Sequence, residues 1–361
     1  MLVAGPATGL FPPQDREWGL PAEVPLTPHA AKRVARESVL QGFDKAAAAL
    51  DEDWGTHWDG KQVQRWSEAI GESVVGQRKQ ETEAFEQGHR PAPPPNPPLL
   101  LVIGLDGGRV QFREKNGATQ SRWRENKVST LTTFLPGDGS EAHPPQPLVT
   151  TYVATMESTE GFGRLVRVEA ERRGLGQART TLALGDGGNW IDPLVDRERL
   201  YDQRIVDYYH AVEHLYEAAK AVEGKDSLAA NALAEQLKDH LWNGRIEPVV
   251  TLLREHGTRC GPPRTEDGPD HPRRVLANNV AYFQRHRHHM DYPTYRRKGW
   301  PIGSGITEAG VKQFNKRVKG TEQFWSEPGV ESIMALRALW LSEDDRWRRY
   351  WATRSAYSKA A

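Results

Sequence analysis

The run Pro91–Ala92–Pro93–Pro94–Pro95–Asn96–Pro97–Pro98 places six prolines in eight residues. Proline fixes φ and removes the backbone donor, so this stretch is excluded from helix and from inner strand. It reads as an extended, polyproline-like strut. The strut separates two kinds of periodicity. Upstream, Pro28–Leu50 and Lys61–Glu86 carry helical spacing around a turn, Asp51–Gly60, that holds Trp54 and Trp58. Two helices about a short turn are either a helix-turn-helix that touches DNA or a small helical packing domain. Downstream, Leu99–Leu105 is apolar but for Gly104, the signature of a strand buried on both faces.

The pattern after that strand is ordered. Arg109–Arg113 alternates as a hairpin partner, and Val128–Leu135 is a third β-rich run. Glu160–Arg173 reads as helix, Thr180–Gly185 as strand, and Ile205–Val206 as a strand leading into a helix over Tyr208–Val222. Three strands, a helix, a strand, a short helix and a strand is the order of a ribonuclease H-like α/β core, a mixed sheet flanked by helices. The expected division is a helical N-terminal domain over 1–90, the linker 91–98, a first part of the core over 99–222, an α-helical insertion over 223–299, and the C-terminal part of the core over 300–361.

Composition excludes some settings. Mean hydropathy is −0.69, and the longest apolar run, Leu99–Ile103, falls far below the roughly 18 residues of a spanning helix. No cation precedes Arg16, so no signal peptide is read. The single Cys260 rules out internal disulfides and a thiolate zinc site, and a cytoplasmic protein without a membrane partner is expected. Formal net charge is zero, yet residues 273–319 hold eleven Lys and Arg against Asp291 and Glu308. A local excess of that size suits phosphate.

Three acidic residues stand where a metal-dependent nuclease needs them. Asp106 closes the first strand in Gly104–Leu105–Asp106–Gly107–Gly108, Asp186 closes the fourth in Leu184–Gly185–Asp186–Gly187–Gly188, and Glu308 lies in the first turn of a helix opened by Gly303–Ser304–Gly305. Adjacent strands bring their end carboxylates together, and the glycines leave room for a metal or a sugar–phosphate backbone. Mg²⁺ takes carboxylate oxygens, and a pair of such ions activates a nucleophile while stabilising the leaving oxygen. Singly, Asp-Gly-Gly is ordinary turn chemistry and Glu308 suits a helix N-terminus. The three together point to catalysis.

The segments LGDGGNWI, DYYHAVEHL, WPIGSGITEAGVKQFNKRVKG and FWSEPGVESIMALRALW, with LLLVIGLDGGRVQFRE and WRENKV before them, resemble the ISKra group of bacterial insertion-sequence transposases over residues 10–345. The resemblance implies a DDE transposase in which Asp106, Asp186 and Glu308 form the catalytic, metal-binding triad for two Mg²⁺ or Mn²⁺ ions. It matches Asp207 and His210 to the D-x-x-H motif after the second aspartate. The implied reaction is phosphodiester hydrolysis at element ends followed by strand transfer into target DNA. A homo-oligomer is expected, because two ends must meet one target. Two rivals remain: a ribonuclease H-like, structure-selective nuclease, and a transposase-derived DNA-binding or interaction protein without transposition. Two departures accompany the resemblance. The group's Cys-rich N-terminal segment has no counterpart before Gly9–Leu10–Phe11–Pro12, so weaker recognition of element ends is expected. Glu322 puts an acid in a loop that the group keeps less acidic.

His210 either meets the scissile phosphate, orients a neighbouring ligand, or is a structural histidine; its sequence context leaves these open. His286, His288 and His289 lack a cysteine partner and alternate with arginines, which reads as a basic DNA-facing helix rather than zinc. Candidate DNA contacts are Arg285, Arg287, Arg296, Arg297 and Lys298 before the Glu308 helix, and Lys312, Lys316, Arg317 and Lys319 along it. Trp300 and Trp325 are candidates for base stacking, whereas Trp340 and Trp347 read as core.

Overall fold

The computed structural model describes residues 19–112, 122–225, 227–320 and 323–355. Arg113, Glu322 and Gly9–Pro12 lie outside the described residues. Ahead of the strut stand α1 (Pro28–Leu40), α2 (Phe43–Trp54) and α3 (Gly60–Glu86). The single helix expected over Pro28–Leu50 is corrected to two. Gln41 is extended and Gly42 takes the N-cap of α2, so the hydrogen-bond ladder is interrupted there. Thr27 caps α1, and Asp59 with Gln62 forms a capping box on α3.

The sheet contains β1 (Leu100–Phe112), β2 (Arg122–Leu135), β3 (Gln146–Thr155), β4 (Thr180–Gly185) and β5 (Gln203–Val206) in the order β3-β2-β1-β4-β5. Pairing is antiparallel across β3, β2 and β1 and parallel across β1, β4 and β5. This is the ribonuclease H-like mixed sheet. Helix α4 (Thr159–Arg172) joins β3 to β4, α5 (Ile191–Arg197) joins β4 to β5, and α6 (Tyr208–Glu223) follows. The stretch expected as a helical insertion, 223–299, carries α7 (Leu228–Trp242), α8 (Ile246–Cys260), α9 (Pro272–His286) and α10 (Tyr292–Arg297); α11 (Gly305–Val318), α12 (Glu327–Leu341) and α13 (Arg346–Ser355) close the described chain. Among the described residues no helix is long and apolar enough to cross a membrane.

Two strand assignments change. Sequence periodicity breaks β1 at Asp106–Gly108 and overlooks β3. Gly107 and Gly108 stay paired with Lys127 and Asn126 of β2, so the ladder carries the chain through to Phe112. Arg109–Phe112 is therefore the second half of β1, and Asp106 lies within the strand rather than at its end. The third strand is β3, whose Val149, Thr150, Thr151 and Val153 are β-branched and pair with β2.

The two faces of β1 explain where the site lies. Leu101, Ile103 and Leu105 are fully buried against Phe162 and Val166 of α4 and Leu194 of α5. On the opposite face, Leu100 and Val102 join the core beneath α6 to α9, and Val110 and Phe112 join the core beneath α11 and α12. Between those apolar ends the same face reads Gly104, Asp106, Gly108. Each fully buried Leu, Ile or Val contributes about 1.5–3 kcal/mol, so β1 is anchored on both sides of its aspartate.

The N-terminal helices are docked on this core. A Cβ at Gly71 of α3 would lie 2.4 Å from the Ser332 carbonyl oxygen of α12. Arg317 Nε donates to the Ser38 carbonyl at 2.5 Å, and Arg337 donates to the Val39 carbonyl. These guanidinium groups satisfy carbonyls that the last turn of α1 cannot pair by itself.

Candidate active site

Parallel pairing of β1 with β4 ends at Leu105–Gly185, so Asp106 and Asp186 occupy matched positions one residue further on. Adjacent strands lie about 4.8 Å apart, which brings the two aspartates side by side. Asp106 Oδ1 accepts from Gly107 N at 2.6 Å and Asp186 Oδ1 from Gly188 N at 2.8 Å. Among the described residues, the second oxygen of each takes no hydrogen bond.

Helix α11 brings the third acid. Thr307 is buried and its hydroxyl pairs with Thr130 Oγ1 at 2.7 Å. A Cβ on Gly104 would lie 1.9 Å from Thr307 Oγ1, and one on Gly108 would lie 2.7 Å from Asn315 Oδ1. The helix thus lies directly on the face that carries Asp106, with one glycine beneath each contact. Glu308, beside Thr307, is half-exposed and pairs with Lys312 Nζ at 3.6 Å.

The start of α11 is held by Asp207, which is 1% exposed. Its Oδ1 accepts from Tyr209 N at 2.6 Å and His210 N at 3.0 Å, capping α6. Its Oδ2 accepts from Ser304 N at 2.5 Å and from the Ser304 hydroxyl. Asp207 N donates to the Gly185 carbonyl at 2.9 Å. One buried carboxylate therefore fixes the end of β4, the start of α6 and the turn before Glu308.

His210 is partly exposed, with Nδ1 3.3 Å from Glu213 Oε2 and its ring edge-on to His214 at 5.0 Å. Burial pushes the Asp106 carboxyl up to about 6; Asp186 and Glu308 push the same way, while Gly107 N–H and His210 oppose it. The four groups are therefore close enough to act on Asp106 together. A carboxyl held above its ordinary range near other acids marks a place where a cation is favoured.

Three hard carboxylates with uncommitted oxygens suit Mg²⁺ or Mn²⁺ by donor type. The described residues nevertheless contain no group of three His, Cys, Asp or Glu side chains assembled to hold a metal. Glu308 is paired with Lys312.

The expected DNA-contacting residues separate into two groups. Arg285, Arg287, Arg297, Lys298, Lys312, Lys316 and Lys319 are exposed. Arg317 is corrected: it is 2% exposed, packed between Phe43 and Trp325 and bound to Ser38, and burial brings its guanidinium down to about 10. Trp325 is corrected likewise, being 5% exposed with its indole N–H donated to the Val318 carbonyl at 2.9 Å. Arg296 covers the Trp242 ring at 3.6 Å and donates to the Trp242 carbonyl, so it serves the insertion's own packing. Trp300 stacks on Tyr295 beneath Lys298. His286 is buried, which corrects its place on a DNA-facing surface.

Sequence reasoning missed Thr307 and Tyr282. The Tyr282 hydroxyl donates to the Asp186 carbonyl at 2.9 Å across 96 residues of sequence. Its only local signal was an aromatic beside Phe283 in a helix.

No family model matches the chain, and no curated protein matches it. Among solved structures it is similar to one described as the Drosophila P element transposase strand transfer complex. The identity is 9% over 69% of this chain and 78% of that one, with a TM-score of 0.30.

Proposed function

We propose that this chain is a DNA transposase of the DDE class, related to the ISKra group through the segments around Asp106, Asp186, His210 and Glu308. The observation that carries the reading is the parallel register that ends at Leu105–Gly185 and leaves Asp106 and Asp186 on neighbouring strands, beside a helix whose Glu308 acts, with Asp186, in the same direction as the burial that raises the Asp106 carboxyl to about 6. Asp106, Asp186 and Glu308 would hold Mg²⁺ or Mn²⁺. The bound ions supply activation of an attacking oxygen and stabilisation of the leaving one.

The chain's own residues do the positioning. Asp207 orients α6 and α11 with respect to each other, and Thr307 sets the height of Glu308 above β1. His210, at the first turn of α6, accepts or releases a proton beside the phosphate. Exposed Lys312, Lys316 and Lys319 neutralise backbone phosphates along α11, and Arg285, Arg287, Arg297 and Lys298 extend that charge along the insertion. Lys312, which pairs with Glu308 at 3.6 Å, would be free to meet a phosphate if Glu308 held a metal ion. Water attacks the phosphodiester at an element end, the freed 3′-hydroxyl attacks target DNA, and each step exchanges one phosphorus–oxygen bond for another. Two ends and one target imply a homo-oligomer.

A labelled oligonucleotide assay with Mg²⁺ or Mn²⁺ tests this. Metal-dependent cleavage and joined products are expected, with Asp186→Asn and Glu308→Gln each costing at least ~10³-fold while DNA binding persists. Cleavage without joining would favour the structure-selective nuclease. Binding without either reaction would leave a DNA-binding relic.

A further inference from the structure

The helical insertion reaches back to the loop that follows β4. The Tyr282 hydroxyl of α9 donates to the backbone carbonyl of Asp186 itself at 2.9 Å. One turn on, Arg285 donates to Asn189 Oδ1. His286, 1% exposed, lies with Nδ1 3.3 Å from Asp192 Oδ2 at the start of α5. Arg204 of β5 donates to the other Asp192 oxygen at 2.9 Å. Tyr282 and Arg285 thus hydrogen-bond the segment 186–192 at its beginning and middle, and His286 of the same face lies against its end.

The fit is tight where the loop turns. Gly187 has φ +86°, and a Cβ there would lie 2.9 Å from Tyr282 Cε2 and 3.1 Å from His286 Nε2. Only a glycine both adopts this backbone conformation and admits both rings. Tyr282 is in turn held from behind. His214 of α6 stacks on it with ring centroids 4.0 Å apart, and His214 Nδ1 is 2.9 Å from Asn279 Oδ1. The Tyr282 ring therefore has one orientation, and its hydroxyl has one target.

We infer that Tyr282 is a positioning residue for Asp186, and that the insertion serves the active site by fixing this aspartate as well as by presenting positive charge. The inference rests on the reading of Asp186 as a metal ligand. A hydrogen bond to the backbone of a ligating residue restricts where its carboxylate points. Loss of such a supporting contact costs metal affinity roughly 10–100-fold in sites of this kind.

The test is a Mn²⁺ titration of the full chain, free Mn²⁺ being followed by electron paramagnetic resonance and thermal unfolding measured alongside. Four variants are compared with the parent protein: Tyr282→Phe, His286→Gln, Asp186→Asn, and Leu237→Ala as a destabilised control in the insertion's core. Leu237 is fully buried beside α6 to α9 and makes none of the three contacts to the loop. The expected result is that Asp186→Asn abolishes tight binding and Tyr282→Phe weakens it about tenfold or more. His286→Gln weakens it less, and Leu237→Ala lowers the unfolding temperature with unchanged affinity. Tyr282→Phe binding as tightly as the parent, or no more weakly than Leu237→Ala, overturns the positioning role alone. Asp186→Asn binding like the parent overturns the metal-site reading, and the inference with it.

Discussion

At the scale of single residues, the candidate site depends on what two glycines leave out and what one aspartate joins. Gly104 makes room for Thr307, and Thr307 carries Glu308 next to it in α11. Gly104→Ala is expected to destabilise the fold by about 1–3 kcal/mol, since the added methyl meets a hydroxyl at 1.9 Å. Thr307→Ala should recover part of that loss in the double variant, which chemical denaturation of the four-member cycle would reveal. Purely additive losses would mean that the two side chains do not meet. Asp207→Ala removes the cap of α6 and the acceptor for Ser304 together. It should cost about 2–4 kcal/mol and abolish cleavage, because a cap and a buried charged acceptor are lost at once. Unfolding curves and the cleavage assay on one preparation check both halves of that statement.

Among the elements, α11 does two jobs with opposite faces. Lys312, Lys316 and Lys319 face solvent, whereas Arg317 turns into the core and ends α1. Four cations of one basic helix therefore divide between solvent and core, which net charge cannot express. Lys316→Ala is expected to lower the slope of log affinity against log salt for duplex DNA by about one, with little change in stability. Arg317→Met should leave that slope unchanged and cost about 1–3 kcal/mol by orphaning the Ser38 carbonyl. Fluorescence anisotropy at several salt concentrations, with unfolding of the same variants, separates the two roles. A fall in slope for Arg317→Met would return that residue to the DNA surface.

The whole molecule is tied together around a buried acid. Glu169 of α4 is 3% exposed and accepts from Arg346 at 2.5 Å, Arg172 at 2.6 Å and the Thr151 hydroxyl at 2.6 Å. Arg172 continues to Glu81 of α3 at 3.0 Å, and Arg346 to Asp344 at 2.7 Å. This network lines a cavity of about 330 Å³ between the N-terminal helices, the sheet and α13. Burial alone would raise the Glu169 carboxyl, but Arg346, Arg172 and the hydrogen bonds outweigh it and hold it below its ordinary 4.5. With a folded value below the unfolded one, its stabilisation is full above pH 4.5 and is lost as pH falls through the folded value. Glu169→Gln should cost about 1–3 kcal/mol at pH 7, since two half-buried guanidinium groups each lose one of two counter-charges, Arg172 keeping Glu81 and Arg346 keeping Asp344. Stability measured from pH 7 to 3 should then fall less steeply for the variant than for the parent. Parallel curves would remove Glu169 from the acid limb.

The amino-acid sequence by itself determined the class of fold and singled out three candidate acids, because both are written in local signals. Apolar runs of strand length ended by Asp-Gly-Gly, a proline strut and a Gly-Ser-Gly helix start need no distant partner to be recognised. The expected order of three strands, a helix and two more strands matches the sheet for a partly different reason. Local periodicity divides β1 at glycines that its neighbour β2 keeps paired, and it passes over β3. Only the tertiary structure decided which cations face water, since helical spacing places Lys316 and Arg317 side by side in sequence and on different surfaces in space. It alone showed Asp207 as the joint between β4, α6 and α11, and Tyr282 as the contact from the insertion to Asp186. Those contacts span about a hundred residues, and their energy depends on burial and direction, which no sequence window contains.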